Sequence, residues 1–213
     1  MTHTLHRRGT YENLKNDYVI FAIAAQTVNA KGTAPLFQDF YNIVNKYDPV
    51  NIGDMVTGNM YSLSKSVIEN GTKDNSIFHA VFTDVETVVK VLKDLKEANL
   101  GLSIVVSGIL KHVDKCCSEA GIQRHTVENS LGILGNTKKL PTEKVLQINT
   151  MCGHGMIAFN LIEYMAEMIK MGKKTAKEAA EELASQCHCG IVNPVRVAAI
   201  LEEMAKLSVT ERD

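Results

Sequence analysis

The sequence predicts an α/β protein, with α+β as the alternative class: a helical N-terminal part, a small and mostly parallel β-α-β-α-β sheet, and a C-terminal helical module. Three observations carry this. Apolar residues in the first third recur at helical spacing between Pro and Gly breaks; short apolar runs at 76–82, 102–106 and 126–134 alternate with helical stretches; and helical spacing returns after Pro141. A chain of 213 residues, 45% hydrophobic and 22% charged, fits one folded unit or two small ones. The change of pattern places a border near residue 140, giving a helical plus α/β part, 1–140, and a helical module, 141–213.

The elements follow in order. Thr10 is a suitable N-cap for a helix to about Val28, closed by Lys31-Gly32. Pro35 opens a second helix that ends before Asp48-Pro49, and a third runs from about Gly58 to Asn70, with Gly71 as its stop. Residues 76–82 read as a strand. Thr83 and Glu86 then make a capping box for a helix over 85–98. Residues 102–106 are a β-branched strand, Ser107-Gly108 a turn and 109–120 a helix, while 126–134 alternates like a third strand with Val127, Leu131 and Ile133 on one face. Residues 146–150 suit a strand or a helical turn equally. Helices over 156–171, 176–184 and 194–207 complete the chain, the second marked by a Thr175/Glu178 capping box and the third by Asn193-Pro194 as N-cap and first residue.

Charge and composition exclude several classes. A formal net charge of −1 offers no basic surface for nucleic acid or an anionic membrane. The apolar run from Tyr18 to Ala25 is too short to span a bilayer, and polar residues separate it from His6-Arg7-Arg8, so the N-terminus reads as a solvated polar arm. Five cysteines, two of them adjacent at Cys116-Cys117, do not suit a disulfide framework. They suit a reducing cytoplasm.

The informative cysteines lie near the C-terminus. Cys152 and His154 form one short pair; Cys187 and Cys189 form another around His188. Each pair precedes a helix start, where unpaired N–H groups and the positive helix end favour thiolates. Residues 155–186, read as two helices, separate the pairs, and a helix-turn-helix brings its ends together. Three thiolates and an imidazole make a Cys₃His set for zinc. Gly153, Gly155 and Gly190 relieve crowding there. The alternative is that these thiols only pack as small hydrophobes.

This order of Cys-x-ligand, two helices, Cys pair and helix, over about residues 150–207, resembles the [2Fe-2S] domain of the bacterioferritin-associated ferredoxin family. His154 stands where that family has a cysteine, and the second pair is one residue tighter. The resemblance implies a [2Fe-2S] cluster on Cys152, His154, Cys187 and Cys189, a histidine ligand being chemically acceptable on iron. The whole chain also resembles uncharacterised bacterial and archaeal proteins with Cys-Gly-His-Gly-Met and Cys-x-Cys-Gly-Ile-x-Asn-Pro, which implies no established activity.

Other candidates are simpler. His112 and Cys116 share a helix face without a partner pair, so His112 is expected at the surface and Cys116 and Cys117 in structural roles; His79 is expected in the core. The parallel-sheet rule that ligands collect beyond strand carboxyl ends points to Thr83, Asp84, Ser107 and Gly108 as a small-molecule site. The leading expectation is a cytoplasmic metal- or iron–sulfur-binding protein, redox-active with a partner protein or small molecule. The alternatives are an enzyme with Cys152 as nucleophile and His154 as acid or base, and a structural helical protein that self-associates as a homodimer.

Overall fold

The computed structural model describes residues 4–210. In chain order, α1 (Tyr11–Leu14), β1 (Tyr18–Ile23), α2 (Ala34–Asn45), β2 (Asn51–Asp54), β3 (Gly58–Asn59), α3 (Lys65–Asn70), β4 (Phe78–Phe82), α4 (Val85–Ala98), β5 (Ser103–Ser107) and α5 (Leu110–Glu119) make up the first part. A largely irregular stretch with one 3-10 turn at Thr137–Lys139 leads to α6 (Glu143–Cys152), α7 (Phe159–Lys170), α8 (Ala176–Ser185) and α9 (Pro194–Thr210).

The strands form one five-stranded sheet in the order β3-β2-β4-β1-β5. Every neighbouring pair is antiparallel, which corrects the expected parallel sheet and makes the fold α+β. The cause is β1. Its residues were expected in a helix over 10–28, yet they form the strand between β4 and β5, pairing Tyr18 with Phe82 on one side and Val19 with Ser107 on the other. The β4-α4-β5 unit does exist. Its two strands run the same way, but β1 lies between them in the opposite sense, so they never pair.

Three further expectations change. The helix expected from Gly58 begins as β3 and becomes helical only at Lys65. Residues 126–134 form no strand. The Thr83/Glu86 capping box gives way to Asp84, whose carboxylate accepts from the Thr87 N–H at 2.7 Å. The Thr175/Glu178 box is present as expected, and Asn193 Oδ1 caps α9 by accepting from the Arg196 N–H at 3.1 Å.

Alternation along β1 divides the core. Val19 and Phe21 face α6–α9, packing with Ile148, Met151, Ile162, Leu183 and Ile200, whereas Tyr18, Ile20 and Ala22 face the cluster of Phe37, Phe40, Val88 and Leu92 from α2 and α4. The sheet is thus the middle of three layers. Each fully buried Phe, Ile or Leu contributes about 1.5–3 kcal/mol, and the C-terminal helices share a core with the sheet through Val19, Phe21 and Val81. Among the described residues no helix is long and apolar enough to cross a membrane.

Candidate functional site

The two cysteine pairs meet where α6 ends and α9 begins. Cys152 is the last residue of α6; Gly153, at φ +62°, takes the left-handed cap, and the His154 N–H returns to the Cys152 carbonyl at 2.6 Å. Across from it, the turn after α8 carries Cys187 to Gly190, closed by the Gly190 N–H on the Cys187 carbonyl at 3.0 Å. Cys152, Cys187 and Cys189 are buried; His154 and His188 are exposed.

Within this cluster the contacts are pairwise. The Cys152 and Cys187 thiols hydrogen-bond to each other, and Cys189 Sγ lies 3.8 Å from His154 Nδ1. His188 turns outward, its Nε2 3.4 Å from the Val56 carbonyl. The Cys187 hydrogen bond, helped by the backbone N–H groups of Met156 and His154, overcomes burial and brings the Cys152 thiol down to about 6. Cys187 is pushed up because it supplies the shared proton to Cys152 and is buried besides. Burial, with the charges of Cys152 and Asp54 adding to it, raises Cys189 to about 11. The arrangement thus sets the Cys152 and Cys187 thiols against each other and the Cys189 thiol against an imidazole.

Sequence reasoning missed what holds these turns in place. Arg7, expected in a solvated arm, is folded in: its guanidinium bonds Asp17 Oδ1 at 2.5 Å, the Met151 carbonyl at 3.3 Å and the Ile191 carbonyl. It therefore joins the residue before Cys152 to the second residue after Cys189. The other oxygen of Asp17 accepts from Arg196 at 2.7 Å, and the Asn193 amide adds a contact to Asp17 at 3.3 Å. Burial alone would push the Asp17 carboxyl up; the two arginines outweigh it and hold it below the usual carboxylate range. From β2 and β3, the Asn51 amide donates to the Val192 carbonyl and the Asn59 amide to the Cys187 carbonyl, both at 2.9 Å. A Cβ on Gly190, whose φ is +70°, would stand 2.6 Å from the Gly53 backbone nitrogen. Two glycines let the turn lie directly on the sheet.

The small-molecule candidates lie elsewhere. With an antiparallel sheet, the rule that selected them has no footing. Thr83 and Asp84 open α4. Ser107 ends β5 opposite Val19, and Gly108 packs on the Tyr18 ring, where a Cβ would be 2.7 Å from Cδ1. Ser107 and Gly108 line a cavity of about 670 Å³ along β5; Thr83 and Asp84 do not. His112, expected at the surface, is half-buried between the hydroxyls of Tyr18, at 2.5 Å from its Nδ1, and Tyr11, at 3.0 Å from its Nε2. Cys116 is buried and raised to about 11, chiefly by desolvation. His79 is buried against Phe21, with ring centroids 5.4 Å apart.

The donor types suit a soft metal: thiolates and imidazole, with no hard carboxylate among them. Two tetrahedral zinc ligands of this kind stand about 3.6 Å apart, near the Cys189–His154 separation of 3.8 Å. Among the described residues, however, no group of three or more His, Cys, Asp or Glu side chains is close enough together to hold an ion as it stands. The four donors are two adjacent pairs rather than a closed shell. No protein family, curated protein or solved structure matches this chain.

Proposed function

We propose that this is a cytoplasmic protein that binds a [2Fe-2S] cluster or zinc through Cys152, His154, Cys187 and Cys189. The observation that supports it best is the convergence of two separate pairs, Cys152 on Cys187 and Cys189 on His154, in a turn region fixed by buried polar side chains. A cluster would supply one-electron transfer to a redox partner protein or small molecule; zinc would supply structural closure. The Cys187 hydrogen bond moves the Cys152 thiol towards the thiolate that a metal takes, and His154 lies on a turn flanked by two glycines with positive φ. The catalytic reading, with Cys152 attacking and His154 as its base, has less support, because Cys152 has no exposed surface and the imidazole lies against Cys189.

Anaerobic purification followed by iron, zinc and sulfide analysis per folded chain tests the proposal. Wild type is expected to carry metal; Cys187→Ala and Cys189→Ala each lose most of it. A metal-free wild type, or both variants retaining full stoichiometry, rejects it. His154→Cys then distinguishes the metals: with a cluster it keeps the absorbance and lowers the reduction potential, since a thiolate adds negative charge beside iron.

A further inference from the structure

β5 is covered less well than its neighbour. β1 is buried along almost its whole length, whereas β5, Ser-Ile-Val-Val-Ser, has apolar side chains toward both layers yet is only half-buried from Ile104 to Ser107. The missing cover is the cavity of about 670 Å³. Its floor includes Leu92, Leu95, Leu102, Ile104, Val106 and Val113, and its far wall is the chain's own stretch 122–130. Thr4 and Leu5 line it as well, and His6 Nδ1 meets Ser130 Oγ at 2.9 Å, which clasps the N-terminal turn to that wall. None of the four donors of the cysteine site lines it.

Folded interiors leave few voids larger than a water molecule. This one persists because 122–130 spans the space instead of packing into it: Ile122 is half-buried and residues 123–130 are exposed. Small-molecule sites of about 300–1,000 Å³ have this make-up, mostly apolar with a few polar groups. Water in the cavity would meet an aliphatic floor, so an apolar body is the better occupant.

The charges select its class. The ionisable side chains of the lining are Lys96, Cys117, Arg124, His125 and Glu128. Arg124 is taken by Asp114 at 2.7 Å, His125 Nδ1 lies 2.7 Å from Thr126 Oγ1, and Glu128 is exposed to water on the outer wall. Lys96 differs. Its Nζ donates to the Gly121 carbonyl at 2.9 Å and the Ala120 carbonyl at 3.3 Å, which fixes the ammonium at the end of α5 and uses two of its three N–H groups. Among the described residues no carboxylate stands within ion-pair distance of it. One fixed ammonium beside an aliphatic floor suits a single negative charge on an apolar body, whereas a phosphate dianion would call for more donors. We propose that this cavity binds an aliphatic monocarboxylate, its chain along Leu95, Ile104 and Val106 and its carboxylate on Lys96.

Titration of the full chain with decanoate below its micellar concentration, followed by calorimetry and by backbone amide shifts, tests this. Saturable binding of one decanoate per chain is expected, with the shifts concentrated in 99–108 and 122–130. Decylamine has the same tail and the opposite charge, and should bind at least about tenfold more weakly. Lys96→Gln retains hydrogen-bond donors but removes the charge; it should weaken decanoate at least about tenfold and leave decanol unchanged. Ile104→Trp fills the floor and should abolish binding of both. Absence of saturable binding, shifts centred outside the cavity, decylamine binding as well as decanoate, or a folded Lys96→Gln or Ile104→Trp binding decanoate like wild type each overturns the proposal. Should either variant misfold, the wild-type shift map and the decanoate–decylamine comparison decide.

Discussion

Two irregular stretches of this chain have opposite fates. Residues 187–193 have little regular structure, yet they are nearly all buried and their carbonyls are taken by Arg7, Asn51 and Asn59. Residues 123–135 include the strand-like alternation at 126–134, yet they lie mostly exposed and are held by a few surface side-chain contacts, Gly132 N–H to Ser130, His125 to Thr126, Arg124 to Asp114 and His6 to Ser130. The comparison teaches that backbone without secondary structure is fixed by who answers its hydrogen bonds. Local propensity does not do it.

Removing the centre of the first stretch is the largest test. Asp17→Ala leaves the Arg7 and Arg196 guanidiniums buried without their carboxylate, which costs about 3–5 kcal/mol; urea denaturation is expected to show an unfolded or barely folded chain. The same pair predicts an acid limb. Because the Asp17 carboxyl is held low in the folded state, its contribution is present above the unfolded value near 4 and is lost as pH falls through the lower folded value. Stability measured against pH should fall below about 4 in wild type, and less steeply in Asp17→Asn.

Gly190→Ala comes next. It adds a left-handed residue and a backbone clash with Gly53, for about 2–4 kcal/mol, seen as a lowered denaturation midpoint; an unchanged midpoint would mean the turn does not lie on β2. Arg7→Met retains the bulk but removes the donors to Met151 and Ile191 and one of the two guanidiniums on Asp17, for about 1.5–3 kcal/mol, and should speed amide exchange over 187–193 before any other segment. The smallest effect belongs to the second stretch. Leu134→Ser should change monomer stability by no more than about 0.5 kcal/mol, and a larger loss would show that this segment is held after all.

The sequence made some of this legible for physical reasons. β4, α4, β5, α5, α7, α8 and α9 have clean periods or caps, and each lies near its expected place, whereas α6 stands where residues 146–150 suited a strand or a helical turn equally. β1 was not legible because a strand buried on both faces shows an unbroken apolar run, which a helix can also show. Missing β1 and β2 hid the antiparallel sheet, since β1 separates β4 from β5 and β2 pairs with the other side of β4 in the opposite sense. β2 carries almost no apolar signal: Asn51 and Asp54 are buried through hydrogen bonds made far away in sequence. The alternation at 126–134 was a real pattern with no adjacent strand to pair with. Of the site, the four donors could be found because they are close in sequence as pairs. Arg7, Asp17, Asn51, Asn59 and Arg196 could not, because their partners are set by the fold.

Arg7 also sets an order of events. Its guanidinium reaches the Met151 carbonyl 144 residues on and the Ile191 carbonyl 184 residues on. The turn that presents Cys187 and Cys189 is therefore completed only when contacts closing those long loops have formed, and such contacts form slowly. If Cys152, His154, Cys187 and Cys189 hold a metal as proposed, an ion offered before those loops close would meet separated thiols rather than a prepared site.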